Sequence, residues 1–174
     1  TGTVIILSKQ LRLEMLPDSL SLINRIRGIA NYQFGCAVGQ KLFPEKVEIS
    51  ISKRTGRVRH IYYDHVLLAT LRPTDSIFSL TIEGAKRLRI LIKPPRFRVV
   101  ILSDVEEYVR TNRDVFARHV LSADEKLLPG EEVLVTNKKD ELLAVGKAVL
   151  TGMEMLSFKR GVAVKVRRGI GGYP

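Results

Sequence analysis

The side chains in this sequence best placed to do chemistry are cationic, and what they can do is hold phosphate. Lys53, Arg54, Arg57 and Arg59 crowd one short stretch, with no acid between Lys53 and His60. Arg57 and Arg59 fall on one face of a strand by its two-residue period. They cannot neutralise each other, so they face water or a phosphate. Tyr62 and Tyr63 follow closely and offer rings on which bases could stack. A second group comprises Lys159, Arg160, Lys165, Arg167 and Arg168, all beyond the last acid, Glu154. Lys147, Arg118 and His119 complete the candidate set. The plain alternative is a solvated, highly soluble surface; phosphate contact is the favoured reading of both groups.

Chemistry of other kinds is not in view. The chain has no Walker loop, GxGxxG or nucleophile-elbow motif. His60, His65 and His119 are not spaced with Cys or carboxylates as a metal site requires, and Cys36 is the single cysteine. No metal, cofactor or internal disulfide is expected. His60 fits a half-buried sheet position, while His119 is open between packing and an RNA contact. Asp104, Glu106 and Glu107 suit a helix start. Asp124, Glu125, Glu131 and Glu132 suit turns. No acid–base pair stands out, so the chain is not expected to be an enzyme.

Charge points the same way. The formal net charge is +11 over 174 residues. Residues 1–100 hold 17 Lys/Arg against 7 Asp/Glu, whereas residues 101–174 hold 12 against 11. Within that second part residues 101–141 hold 6 bases against 10 acids, and residues 142–174 hold 6 against 1. So lopsided a field favours a polyanion, nucleic acid first. A hydrophobic content of 45% is that of a folded chain. No run is long enough to span a membrane. Val4-Ile5-Ile6-Leu7 is too short for a signal peptide and is followed by Lys9. The cytosol, with no membrane partner, is the expected setting.

The elements that must position these residues can be traced along the chain. A helix is predicted to open at Pro17, capped by Asp18 or Ser19. Its apolar stripe is Leu22, Ile23, Ile26, Ile29, Ala30 and Gln33, with Arg25 and Gly28 off it. Gly35 and Gly39 interrupt it. A β-meander follows, with Val47, Ile49 and Ile51 inward, a turn at Thr55-Gly56, a return over 57–62, a strand over 67–71 and another over 77–80. Thr81 caps a second helix. Pro94-Pro95 stops it and marks the boundary between an α+β domain, 1–95, and a barrel, 96–174. The barrel opens with a strand over 98–102 and a capping box from Ser103 to Glu106. A strand over VFARHV comes next, then a turn at Pro129-Gly130 and a buried strand at Val133–Val135. Lys138-Lys139-Asp140 forms a hairpin tip, and the strand from Leu142 to Gly146 returns. Gly146 marks a bulge or a close backbone approach. A turn at Met153–Leu156 plugs one end. In the closing strand Val162, Val164 and Val166 face in, while Ala163, Lys165 and Arg167 face out. Phe116 and Phe158 are expected in the barrel core. Residues 169–174 are expected to form a tail.

VFARHV, LPGEEVLV, ELLAVGKA and FKRGVAVKVR, in that order, resemble the PUA domain, a small RNA-binding barrel. NRIRGIANYQFG, SKRTGRVRHIYYD, LLATLRPTD and TIEGAKRL resemble the segment that precedes PUA in the archaeosine tRNA-guanine transglycosylase family. One departure is Thr111-Asn112-Arg113-Asp114, where that family often has Gly; Asn112 can take the same left-handed backbone. The resemblance implies an α+β fold: a helix-plus-antiparallel-sheet domain followed by a PUA-like mixed β-barrel. It covers no part of the family's catalytic barrel. It implies a non-catalytic RNA-binding protein, expected to hold tRNA as a detached accessory subunit beside a separate transglycosylase catalytic chain. The alternative is a ribosome-associated protein bound to ribosomal RNA among ribosomal proteins.

Overall fold

The computed structural model describes residues 3–5 and 17–172, which divide into two compact units, Thr1–Leu91 and Ile92–Pro174. The first unit is a five-stranded antiparallel sheet in the order β1-β2-β3-β4-β5, with three helices. Helix α1 (Pro17–Phe34) starts one residue ahead of the expected cap; the side chains of residues 17–19 lie outside those described. Proline suits that first turn, where its missing N–H would have no helical partner. Ile26, Ala30 and Phe34 of α1 are buried, and Arg25 and Gly28 are exposed, as the stripe predicts. Gln33 lies beside the stripe for another reason. Its side chain accepts from the Phe78 N–H (2.7 Å) and donates to the Phe78 carbonyl (2.9 Å), tying α1 to an edge strand. Gly35, at φ +112°, ends α1, and α2 (Val38–Leu42) follows. At Gly39 a Cβ would lie 2.3 Å from the Arg27 carbonyl oxygen, so only glycine lets α2 pack this close to α1.

Strands β2 (Glu48–Ile51), β3 (Val58–Tyr63), β4 (Val66–Leu71) and β5 (Phe78–Leu80) form the predicted meander. Asp64 and His65 both have positive φ, the two-residue hairpin turn whose twist suits its strands. Strand β1 (Thr3–Ile5) pairs with β2. Its three residues carry no local pattern that names β2 as their partner. Thr81 caps α3 (Ile82–Leu91), its hydroxyl accepting from the Gly84 N–H at 3.2 Å.

The second unit is a six-stranded mixed sheet in the order β7-β11-β10-β9-β6-β8, curled into a nearly closed barrel. Strand β6 (Arg98–Ile101) runs parallel to β9 (Glu132–Thr136) and antiparallel to β8 (Val120–Ala123). Strand β10 (Leu142–Ala148) links β9 to β11 (Val162–Gly169), and β7 (Val115–Phe116) closes on β11. Gly146 is both a bulge and a close approach: a Cβ there would lie 2.4 Å from the Lys165 carbonyl oxygen. Asn112 is left-handed, at φ +69°, as the departure from the family pattern required. Its side-chain oxygen accepts from the Gly169 N–H at 2.7 Å, and Asp114 accepts from the Val166 N–H at 2.8 Å. The loop is thereby fastened to the closing strand.

Six expectations are corrected here. The capping box at Ser103–Glu106 is not formed; a 3-10 turn (Ser103–Val105) leads into α4 (Glu106–Arg110) with no side-chain cap. The capping box lies at Thr151 and Glu154, opening α5 (Gly152–Ser157). VFARHV is not one strand. A 3-10 turn (Ala117–His119) separates β7 from β8, because the chain changes partners there from β11 to β6. Glu132 is not in a turn but in β9; Asp124 does open a turn, its carbonyl accepting from the Leu127 N–H at 3.1 Å, and its buried side chain also accepts from the Phe97 N–H at 3.0 Å. Strict alternation in β11 fails: Ala163 and Val164 are both fully buried, since the register against β7 slips between Val162 and Val164. Phe116 and Phe158 are 44% and 47% exposed, not in the core. Of the residues expected to plug the barrel only Met155 is buried; Met153 and Leu156 are exposed.

Candidate nucleic-acid interface

In the first unit the predicted basic hairpin forms one wall of an open cleft. Arg54, Arg57 and Arg59 line it together with Ser52, Thr55 and Gly56. Arg25 reaches it from α1, and Arg72 from the turn between β4 and β5. The sequence reading missed these two. Arg25 could be read only as an exposed helix residue, and Arg72 only as part of an Arg-Pro turn. Arg72 is held by Asp75, Nη2 to Oδ2 at 2.9 Å. Arg54, Arg57 and Arg59 are exposed, as is Lys53, which stands on the same hairpin outside the cleft. Guanidinium groups from three chain segments thus converge around one hollow, a geometry suited to phosphate oxygens.

His60 is not part of that cation set. It is half-buried, its Nδ1 is 3.1 Å from the Thr70 hydroxyl, and burial with the neighbouring Arg59 charge lowers its pKa below 6.5. It is therefore neutral at neutral pH. Tyr63 is less open to a base than expected, because the Arg87 guanidinium lies 4.4 Å from its ring centroid. Tyr62 is half-buried beside His60.

In the second unit the basic residues separate into two places. One is a hollow of about 440 Å³ lined by Tyr108, Val109, Arg113, Phe116, Arg118 and His119, among others. Its wall is largely apolar and its rim carries guanidinium groups. Arg118 Nε lies 3.0 Å from His119 Nε2, and the Arg118 guanidinium is 6.0 Å from the Phe116 ring centroid. The Ala117 N–H donates to the Gly161 carbonyl at 2.9 Å, which brings the loop carrying Phe158, Lys159 and Arg160 to this turn. Lys159 and Arg160 are exposed. Tyr108 and Arg113 were not foreseen. Arg113 follows the left-handed Asn112, whose conformation could be anticipated, but nothing in the sequence placed Tyr108 in the same hollow as Phe116.

The other place is the surface of β10 and β11. Lys147 and Lys165 are exposed and stand directly opposite each other. Like charges so paired repel unless an anion joins them. Arg167 is a different matter. Its Nη1 donates to Glu132 Oε2 at 3.0 Å, and its Nη2 to Glu132 Oε1, while Glu132 is only 3% exposed. Arg167 neutralises a buried carboxylate rather than standing open to a ligand. Arg168 is exposed, opposite Val145. Among the described residues no group of three or more His, Cys, Asp or Glu could hold a metal ion, and no helix is long and apolar enough to cross a membrane.

A cationic, nearly closed mixed barrel preceded by an antiparallel sheet defines the class: this is a PUA-domain protein, and the PUA domain is an RNA-binding module. The chain is similar to the C-terminal part of the archaeal tRNA-guanine(15) transglycosylases. Residues 24–95 match the patch-forming domain C2 of tRNA-guanine transglycosylase, and residues 97–170 match the PUA domain. The tRNA-guanine(15) transglycosylase of Pyrococcus abyssi is 45% identical over 90% of this chain but only 26% of its own length. That of Methanobrevibacter smithii is 40% identical over 85% of this chain and 22% of its own length. The chain thus spans about a quarter of these relatives. Among solved structures, a hypothetical protein of Pyrococcus horikoshii has the same fold (TM-score 0.68, 23% identity, 84% of this chain and 89% of that one). So does a conserved PUA-domain protein of Thermoplasma acidophilum (TM-score 0.59, 18% identity, 88% and 91%).

Proposed function

We propose that this chain recognises tRNA for archaeosine-type modification, as a non-catalytic accessory subunit whose catalytic centre resides on a separate transglycosylase chain. The observation that carries the reading is the match to the C-terminal part of tRNA-guanine(15) transglycosylases at 40–45% identity, joined to an arginine-lined cleft suited to phosphate and a largely apolar hollow that Arg113 and Arg118 help to line. Recognition rests on phosphate contacts and shape in the arginine cleft. Unstacked bases are taken up between Tyr108 and Phe116, with Arg113 and Arg118 at the rim. Affinity capture of the full chain from cells, with sequencing of the bound RNA and identification of bound proteins, tests this. Enrichment of tRNA and of a transglycosylase catalytic chain is expected. Enrichment of ribosomal RNA and ribosomal proteins would replace the reading with a ribosomal role.

A further inference from the structure

We propose that the outer face of α1 carries the sugar–phosphate backbone of bound RNA, which leaves the arginine cleft at Arg25, passes closest over Gly28 and reaches Tyr32. The inference rests on the RNA-binding reading and adds a surface to it. Helix α1 buries Ile26, Ala30 and Phe34, and the opposite face presents Ser21, Asn24, Arg25, Gly28 and Tyr32, all exposed, Tyr32 to 87%. Arg25, Gly28 and Tyr32 follow one another at three and four residues, so they stack along one face over a rise on the order of 10 Å.

Gly28 is the unexplained member. Glycine within a helix is disfavoured against alanine. Gly39, Gly84, Gly146 and Gly152 are each required, because a Cβ at any of them would come within 2.4 Å of a backbone oxygen. A Cβ at Gly28 would meet nothing within 4 Å, and its backbone φ is not one that glycine alone adopts. Among the described residues nothing calls for a bare backbone on an exposed helix face. A ligand approaching that backbone closely does. The face is continuous with the cleft, since Arg25 belongs to both. No acid occurs from Ser19 to Pro44 to repel a phosphate. Tyr32 offers an open aromatic ring beyond the glycine, on which a base or ribose can stack.

The test measures thermal stability and affinity for a tRNA transcript on the full chain. Gly28→Ala should raise the melting temperature, because alanine is the better helix former, and yet weaken RNA binding severalfold. Gly28→Leu should weaken binding at least tenfold with the protein still folded. Tyr32→Ala should cost about tenfold, the usual worth of one stacking contact. Stabilisation by Gly28→Ala with unchanged affinity for both glycine variants would overturn the proposal. If Arg57→Glu with Arg59→Glu still weakens binding in that case, the cleft binds RNA and only the α1 track fails. If that reversal is also silent, RNA recognition by the first unit fails instead. Loss of a co-purifying protein from Gly28→Leu, with RNA affinity intact, would likewise overturn it and make the face a protein contact.

Discussion

At the scale of single residues, the second unit shows why a cation's neighbours matter more than its exposure. Lys165 and Arg167 sit two positions apart on β11 and both are exposed, yet they do different work. Lys165 faces Lys147 across the strands, whereas Arg167 closes on the buried carboxylate of Glu132. Lys165→Glu turns a repulsive cross-strand pair into an attractive one. It should hold or slightly raise stability, by about 0.2–1 kcal/mol, while lowering RNA affinity. Arg167→Glu removes the guanidinium that grips the buried Glu132 through both oxygens, sets a second carboxylate beside it, and should cost on the order of 3–5 kcal/mol, as broken buried pairs do. Denaturant melts of the two variants check this. Equal and small stability effects would mean that Glu132 has another adequate partner. From the sequence both cations appeared as outward strand residues. Period two gave their side correctly, but Glu132 lies 35 positions away in a Pro-Gly-Glu-Glu stretch that looks like a turn, so their difference was invisible.

At the scale of elements, legibility followed the range of the interaction that fixes each one. The left-handed Asn112, the bulge at Gly146 and the Thr81 cap are local requirements, and residue type disclosed them. Strand β1, the break in VFARHV and the exposure of Phe116 depend on which strand lies alongside, and no local pattern carries that. Capping boxes show the limit well. Ser103 and Glu106 have the right spacing, but the chain enters α4 through a 3-10 turn; Thr151 and Glu154, unremarked in the sequence, form the box that opens α5. Glu154 accepts from the Thr151 N–H at 2.8 Å and from its hydroxyl at 2.9 Å, and these bonds hold its pKa below 4.5. A depressed carboxyl pKa contributes stability that is present above the unfolded value and is lost as pH falls through the folded one. Thr151→Ala should destabilise the second unit by about 1 kcal/mol at neutral pH. It should also shrink, without abolishing, the loss of stability on acidification below pH 4.5, because the charged form of Glu154 keeps the hydrogen bond of the residue-151 N–H and loses that of the hydroxyl. An unchanged acid limb in urea melts across that range would show that the Thr151 hydroxyl does not help to hold the Glu154 proton off.

At the scale of the whole molecule, the question is whether the two units act on one RNA. Net charge rises to +10 in residues 1–100 and is concentrated after residue 141 in the remainder, so both units can release counterions on binding. Each neutralised phosphate contributes about 0.7–0.9 to the slope of log affinity against log salt. Four such contacts already imply a fall of about a hundredfold between 50 and 200 mM salt. Arg57→Glu with Arg59→Glu should flatten the slope by about 1.5, and Lys165→Glu by a little under one, if each cation meets a phosphate. The combination decides between models. If one tRNA spans both units, the triple variant should lose the sum of the two slope changes. If only the second unit binds, the hairpin pair should leave the slope untouched and the triple variant should match Lys165→Glu alone. A third outcome, in which each unit binds RNA independently, would appear as two RNA molecules per chain at saturation, each with a slope altered only by the substitutions in its own unit. We expect summed slopes at one RNA per chain, because a charge excess in both units of so small a protein matches one extended polyanion better than two.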